Sequence, residues 1–168
     1  MIAIGYKDYV SAEAEAGILN FKYKGGSDSI LYQYLWSPMT EWIVQNVVPE
    51  WVAPNLITLV AYLLVISSHL IMVCHSPDMQ SPLPPWVLIY GGFTVLAYQI
   101  LDNMDGKQAR KTNNSSPLGM LFDHGCDSST TWVLGLSHLC VMGLGMNLIS
   151  VYAVLIANFI CFYMGMWS

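Results

Sequence analysis

Charge is scarce in this chain. Only 10% of its 168 residues are Asp, Glu, Lys or Arg, while 55% are hydrophobic; a soluble domain averages about 25% charged residues. The deficit argues against an ordinary water-soluble surface and points to an integral membrane protein. Basic residues are rarer still, six Lys and Arg against eleven Asp and Glu. Nothing basic clusters densely enough for a phosphate backbone, so nucleic acid is not an expected partner. Cysteine is confined to Cys74, Cys126, Cys140 and Cys161, each in or beside an apolar segment and without paired spacing. That pattern supports neither a zinc site nor a disulfide framework. The N-terminus lacks the basic-then-apolar order of a cleaved signal peptide. Membrane insertion therefore falls to internal segments.

Those segments predict an all-α fold, a polytopic membrane helix bundle of about four spanning helices. The first span runs from Leu56 to Val73, with Asn55 as N-cap and Pro54 barring extension backward. The second runs from Trp86 to about Leu101 and continues as helix through Asp102–Arg110. Pro77, Pro82, Pro84 and Pro85 block helix between these two. The third, entered at Pro117, covers about Leu118 to Leu144, and the fourth covers Leu148 to Trp167. His69, inside the first span, reads as a helix–helix contact rather than a ligand.

Residues 1–50 are polar enough to lie outside the bilayer, leaving 51–168 as the membrane domain. Within the first part, Ile30, Leu31, Tyr34, Leu35, Trp42, Ile43, Val47 and Val48 recur at helical spacing among Trp36, Trp42 and Trp51. Tryptophan favours the headgroup level, so an amphipathic helix lying in the membrane interface is expected. Its alternative is a helix packed on the protein itself. All six cations (Lys7, Lys22, Lys24, Lys107, Arg110, Lys111) precede the first span or fall between spans two and three. Two crossings separate those regions, so both face one side, the cytoplasm by the positive-inside rule. The sequons at Asn113 and Asn114 lie on that side and are read as unused.

The chemistry is concentrated where acidic residues interrupt these apolar helices. Asp102 and Asp105 are three apart and share a helix face, and Gly119, Asp123 and Asp127 form a stripe at four-residue spacing on the next helix. The short linker makes the two helices antiparallel neighbours with facing stripes. Asp123 lies six residues past Pro117, about 9 Å along a helix, so the site is shallow. Even so, an Asp at the centre of a spanning helix costs roughly 2.5–3.5 kcal/mol. The counter-charges nearby are Lys107, Arg110 and Lys111. One or two divalent cations balance four carboxylates better, and Mg2+ or Mn2+ suits oxygen ligands. Gly106 and Ala109 keep one face open to a bulky ligand, and Arg110 offers a planar donor fork for phosphate. Two metal ions, a guanidinium and a small-residue floor describe a diphosphate-binding site.

Asp102-Asn-Met-Asp105-Gly106-Lys-Gln-Ala109-Arg110, followed by Gly119, Asp123 and Asp127, resembles the complete CDP-alcohol phosphotransferase motif at the family's spacing. Phe21-Lys-Tyr-Lys-Gly, Trp51-Val-Ala-Pro-Asn-Leu-Ile-Thr58 and Ser116-Pro-Leu-Gly-Met-Leu-Phe-Asp-His-Gly-Cys-Asp127 resemble the eukaryotic ethanolamine/choline phosphotransferases over about residues 20 to 130. The resemblance implies an enzyme that transfers phosphoethanolamine or phosphocholine from CDP-ethanolamine or CDP-choline to diacylglycerol, releasing CMP. It implies metal ligation by Asp102, Asp105, Asp123 and Asp127 in a two-metal Mg2+ or Mn2+ site. It further implies that Asp127 is the base and that Gly106, Ala109 and Arg110, with Asp105, hold the CDP moiety. Asn55 is expected to approach that pocket from the first helix, with Thr58 a weaker candidate. His124 is the alternative proton carrier, though about 100° from Asp123 on the helix, which favours a supporting role. The setting implied is the endoplasmic reticulum or Golgi membrane, with membrane lipid around the protein and a homodimer as its assembly. The family core has six helices where this chain offers about four. A truncated homologue that binds CDP-alcohol without catalysis, or pairs with a full-length partner, is the alternative function, and a cation transporter fits Gly106, Ala109 and Arg110 poorly.

Overall fold

The computed structural model describes residues 30–166, together with Ser11, Glu13 and Gly17. Lys7, Lys22, Lys24 and the Phe21 segment lie outside the described residues. The described chain is helical, with no strand. A π-helical segment, Tyr32–Trp36, runs straight into α1, Ser37–Asn46. Four long helices follow: α2, Pro54–His75; α3, Pro85–Lys111; α4, Pro117–Met142; and α5, Leu148–Met166.

Proline opens α2, α3 and α4, each time within the first turn, where its missing N–H has no partner to lose. This moves one expected boundary. Asn55 is not the N-cap of α2, because Pro54 already has the helical φ; Ala53 takes the N-cap place without a side-chain hydrogen bond. At α4 the cap is the Ser116 hydroxyl, which accepts from the Gly119 N–H at 3.1 Å. The same helix ends two residues earlier than expected. Gly143 takes a left-handed φ of 62°, and the Leu144 N–H returns to the Leu139 carbonyl at 3.1 Å.

Among the described residues, α2 is the helix long and apolar enough to cross a membrane. Its 22 residues extend about 33 Å, against a hydrocarbon core of about 30 Å. A shorter apolar stretch covers Leu148–Ile160 of α5. Helices α3 and α4 have the length, with 27 and 26 residues, but their ends nearest the 112–116 linker carry the acidic and polar residues of the motif.

The spine of the molecule is α2. Both α3 and α4 pack along it, while α3 and α4 stay apart from each other at the backbone, and α5 packs on α4. One apolar cluster, Met72, Met79, Val87, Leu139 and Cys140, closes the end away from the motif. A second, Val44, Ile57 and Met104, joins α1, α2 and α3 at the motif end. Polar bonds reinforce that junction. Lys107 Nζ donates to the Ser37 carbonyl at 2.9 Å, and Lys111 Nζ to the carbonyls of Val44 at 2.7 Å and Val48 at 2.8 Å. Gln108 Nε2 donates to the carbonyls of Pro49 and Val52. So the inner face of α1 packs on the protein, while Trp42 on its outer face is 62% exposed and Trp51 beyond it 81%.

Candidate functional site

Because α3 and α4 lean on α2 without closing on each other, a cleft opens between them at the motif end. It encloses a cavity of about 530 Å3. Asp102, Asp105, Gly106, Ala109 and Arg110 line it from α3, and Gly119, Asp123 and His124 line it from α4. Asn55 and Thr58 complete one wall from α2, and Tyr32 contributes from the π-helical segment. Asp127 lies one turn deeper than Asp123 and is not part of the cavity wall.

The two acidic stripes meet in antiparallel register. Asp105 faces Asp123, and Asp102 faces Asp127, each pair within hydrogen-bonding reach. One carboxylate of each pair is held by hydroxyl or amide donors. Asp105 is buried and accepts from the Thr58 hydroxyl at Oδ2 and from the Gly106 N–H at Oδ1, both at 2.5 Å. Asp127 accepts from the Tyr98 hydroxyl at Oδ1, also at 2.5 Å. Asp123 Oδ1 is buried without a hydrogen-bond partner.

That orphaned oxygen tests the fit of a cation. A buried carboxylate oxygen lacking a donor is costly unless something positive meets it. Asp123, His124 and Asp127 each present one ligand atom, all within 4.8 Å of one another. Two hard oxygens and an imidazole nitrogen form a set that a divalent cation accepts. The residues therefore fit a single metal ion. His124 enters more closely than its angular offset from Asp123 implied. Three residues before Asp127, it brings Nδ1 to 3.8 Å from Asp127 Oδ2, since i and i+3 share a helix face.

The cations divide. Lys107 is buried, with Nζ turned to α1 and also 3.8 Å from Glu41 Oε2, and Lys111 is bonded to α1 as described. Both were expected as counter-charges to the aspartates; the demand of the α1 carbonyls explains why they turn away. Arg110 remains at the exposed rim of the cavity. Its guanidinium lies 3.6 Å from where a Cβ on Gly106 would sit, and apart from Gly106's neighbours on the helix nothing else comes within 4 Å of that point. The surface of Gly106 is thus left to the cavity. At Gly119 space is tighter, because an added Cβ would sit 3.2 Å from Ser116 Oγ and 3.5 Å from Asn55 Oδ1. Tyr98 escaped the reading of the sequence. Its place one turn before Asp102 was the signal available.

The cleft thus joins Asp102, Asp105 and Asp123 with an exposed arginine and an exposed glycine. A profile of the CDP-alcohol phosphatidyltransferase family matches residues 51–167, and the chain belongs to that family. It is 43% identical over 120 residues to choline/ethanolaminephosphotransferase 1 of Arabidopsis thaliana, covering 71% of this chain and 31% of that protein. It is 39% identical over 156 residues to ethanolaminephosphotransferase 1 of Homo sapiens, covering 89% of this chain and 39% of the other. To cholinephosphotransferase 1 of Gallus gallus it is 38% identical over 147 residues, covering 88% and 43% respectively. The chain thus spans between 31% and 43% of the length of these relatives.

Proposed function

We propose that this chain carries the catalytic site for transfer of phosphoethanolamine and/or phosphocholine from the CDP-alcohol to diacylglycerol, with release of CMP. One observation carries the reading: Asp102, Asp105, Asp123, Arg110 and the Gly106–Ala109 floor meet at a single cleft of about 530 Å3, with Asp127 one turn deeper. In the reaction, the diacylglycerol hydroxyl oxygen attacks the phosphorus that bears the choline or ethanolamine. The P–O bond to CMP breaks as the new one forms. Asp127 takes the hydroxyl proton, and His124, 3.8 Å from its Oδ2, is the alternative carrier. Arg110 holds the diphosphate by its donor fork, Gly106 and Ala109 let it approach α3, and Asn55 and Thr58 border it from α2. Asp102, Asp105, Asp123 and Asp127 would hold Mg2+ or Mn2+, in this reading a pair of ions, which supplies charge neutralisation at the diphosphate.

The reading includes a topology. Four spans within residues 51–168 place the cleft on the cytoplasmic side of an endoplasmic reticulum or Golgi membrane, with residues 1–50 on the same side. The positions of Lys107, Arg110 and Lys111 support that orientation, and the exposed Trp42 and Trp51 support contact of α1 with headgroups.

The test is direct. Membranes containing the chain receive labelled CDP-ethanolamine or CDP-choline, diacylglycerol and Mg2+ or Mn2+, beside an Asp127→Asn control. Labelled lipid that disappears in the control is the expected result. CDP-alcohol retained without lipid product establishes instead the second reading, a homologue that binds CDP-alcohol without catalysis.

A further inference from the structure

We infer that Tyr98 is a positioning residue for the metal site, acting through Asp127; this rests on the metal-dependent reading above. Tyr98 and Asp102 are one turn apart on α3, so the phenol shares the face that carries the acidic stripe. Because α3 and α4 stay apart at the backbone, a short hydroxyl at this position would not reach the opposite helix. The phenol does, donating to Asp127 Oδ1 at 2.5 Å. The last torsion of an aspartate has only a broad, roughly two-fold preference, and Asp102, the other neighbour within reach of Asp127, is itself a carboxylate. The Tyr98 bond fixes that rotation, and the remaining oxygen, Oδ2, faces His124 Nδ1 at 3.8 Å. Asp127, Asp123 and His124 each bring one ligand atom within 4.8 Å of the others, and Asp123 Oδ1 is buried without a hydrogen-bond partner. Without the phenol, Asp127 can turn both oxygens among Asp102, solvent and the cation, and the ligand set loses its preorganisation. Residues that orient metal ligands in this way typically carry about 10–100-fold in affinity or activity.

Mn2+ binding to the purified chain in lipid nanodiscs, followed by electron paramagnetic resonance, reads this without catalysis. Tyr98→Phe keeps the ring and removes the donor; its Mn2+ dissociation constant should rise about 10-fold. Tyr90→Phe is the control, since that phenol lies on the same helix but pairs with Ser67 Oγ at 2.8 Å; it should bind as the parent does. In an Asp127→Asn background, Tyr98→Phe should cause no further loss. Tyr98→His, which keeps a ring and a donor but is too short to span the cleft, serves if the Phe variant does not fold, and the same loss is expected. Unchanged Mn2+ affinity in the folded variant overturns the inference, as does a loss that multiplies with Asp127→Asn or is matched by Tyr90→Phe. If the unsubstituted chain binds no Mn2+, the metal reading falls and this inference with it. If it binds Mn2+ but transfers no headgroup, the proposed activity falls while the Tyr98 comparison still decides.

Discussion

Thr58 shows how much of a site can rest on one hydroxyl. It sits in the second turn of α2, where a β-branched residue has no special helical merit, and donates to Asp105 Oδ2. Hydrogen bonds to charged groups contribute roughly 1.5–3 kcal/mol. Thr58→Val preserves shape and removes the donor, so transfer activity should fall about 10-fold while the folded fraction, followed by thermal unfolding in detergent, changes little. Equal loss of stability and activity would show that the hydroxyl serves the fold alone. Thr58 was legible only as part of a Pro-Asn-x-x-Thr stretch. Its partner lies 47 positions away on α3, a pairing no local spacing contains. Asp102, Asp105, Asp123 and Asp127 were legible because helical periodicity is local and puts each pair on one face.

At the scale of elements, two polar devices hold the ends of the bundle. At the motif end, Lys111 satisfies the carbonyls of Val44 and Val48, which the end of α1 leaves open. Lys111→Met removes the donor from both half-buried carbonyls, at about 1 kcal/mol for each. Amide hydrogen exchange should then rise across α1 and the turn after it, with little change in α2; a uniform rise would refute a local clamp. At the opposite end, the 76–84 loop is tied by Asp78. Its carboxyl is held well below the usual range, first by the Ser81 N–H, then by the Gln80 N–H and the Ser81 hydroxyl. A carboxyl with a lowered folded pKa stabilises above its unfolded pKa, about 3.9, and that contribution is lost as pH falls through the folded value. Asp78→Asn should therefore lower Tm near neutrality, and the difference from the parent should shrink below about pH 4. A difference that persists undiminished into acid would exclude the ionised carboxylate as the cause.

For the whole molecule, the arrangement that matters is a spine with two arms. Helix α2 supports α3 and α4, and their separation makes the cleft. A metal-free preparation should accordingly lose transfer activity. EDTA treatment followed by Mn2+ should restore it, and activity that survives exhaustive chelation would contradict the role given to the aspartates. Topology has its own readout. In sealed microsomes, Ser115→Cys beside the cleft should react with an impermeant maleimide from outside, and Ser81→Cys in the opposite loop only after permeabilisation. Labelling of both without permeabilisation would defeat the spanning arrangement.

The sequence by itself determined the helical class, the runs that become long helices, and the faces that carry the chemistry. All three follow from apolar content, proline placement and a 3.6-residue period, which act over a few neighbours. The tertiary structure decided what those faces do to one another. Packing on α2 set the gap between α3 and α4, and that gap made Tyr98 long enough to reach Asp127 where a smaller hydroxyl is not. The docking of α1 decided that Lys107 and Lys111 bind backbone carbonyls, leaving Arg110 at the mouth of the cleft. Distances between segments depend on which apolar faces pack first, and chain-local spacing carries no record of that competition.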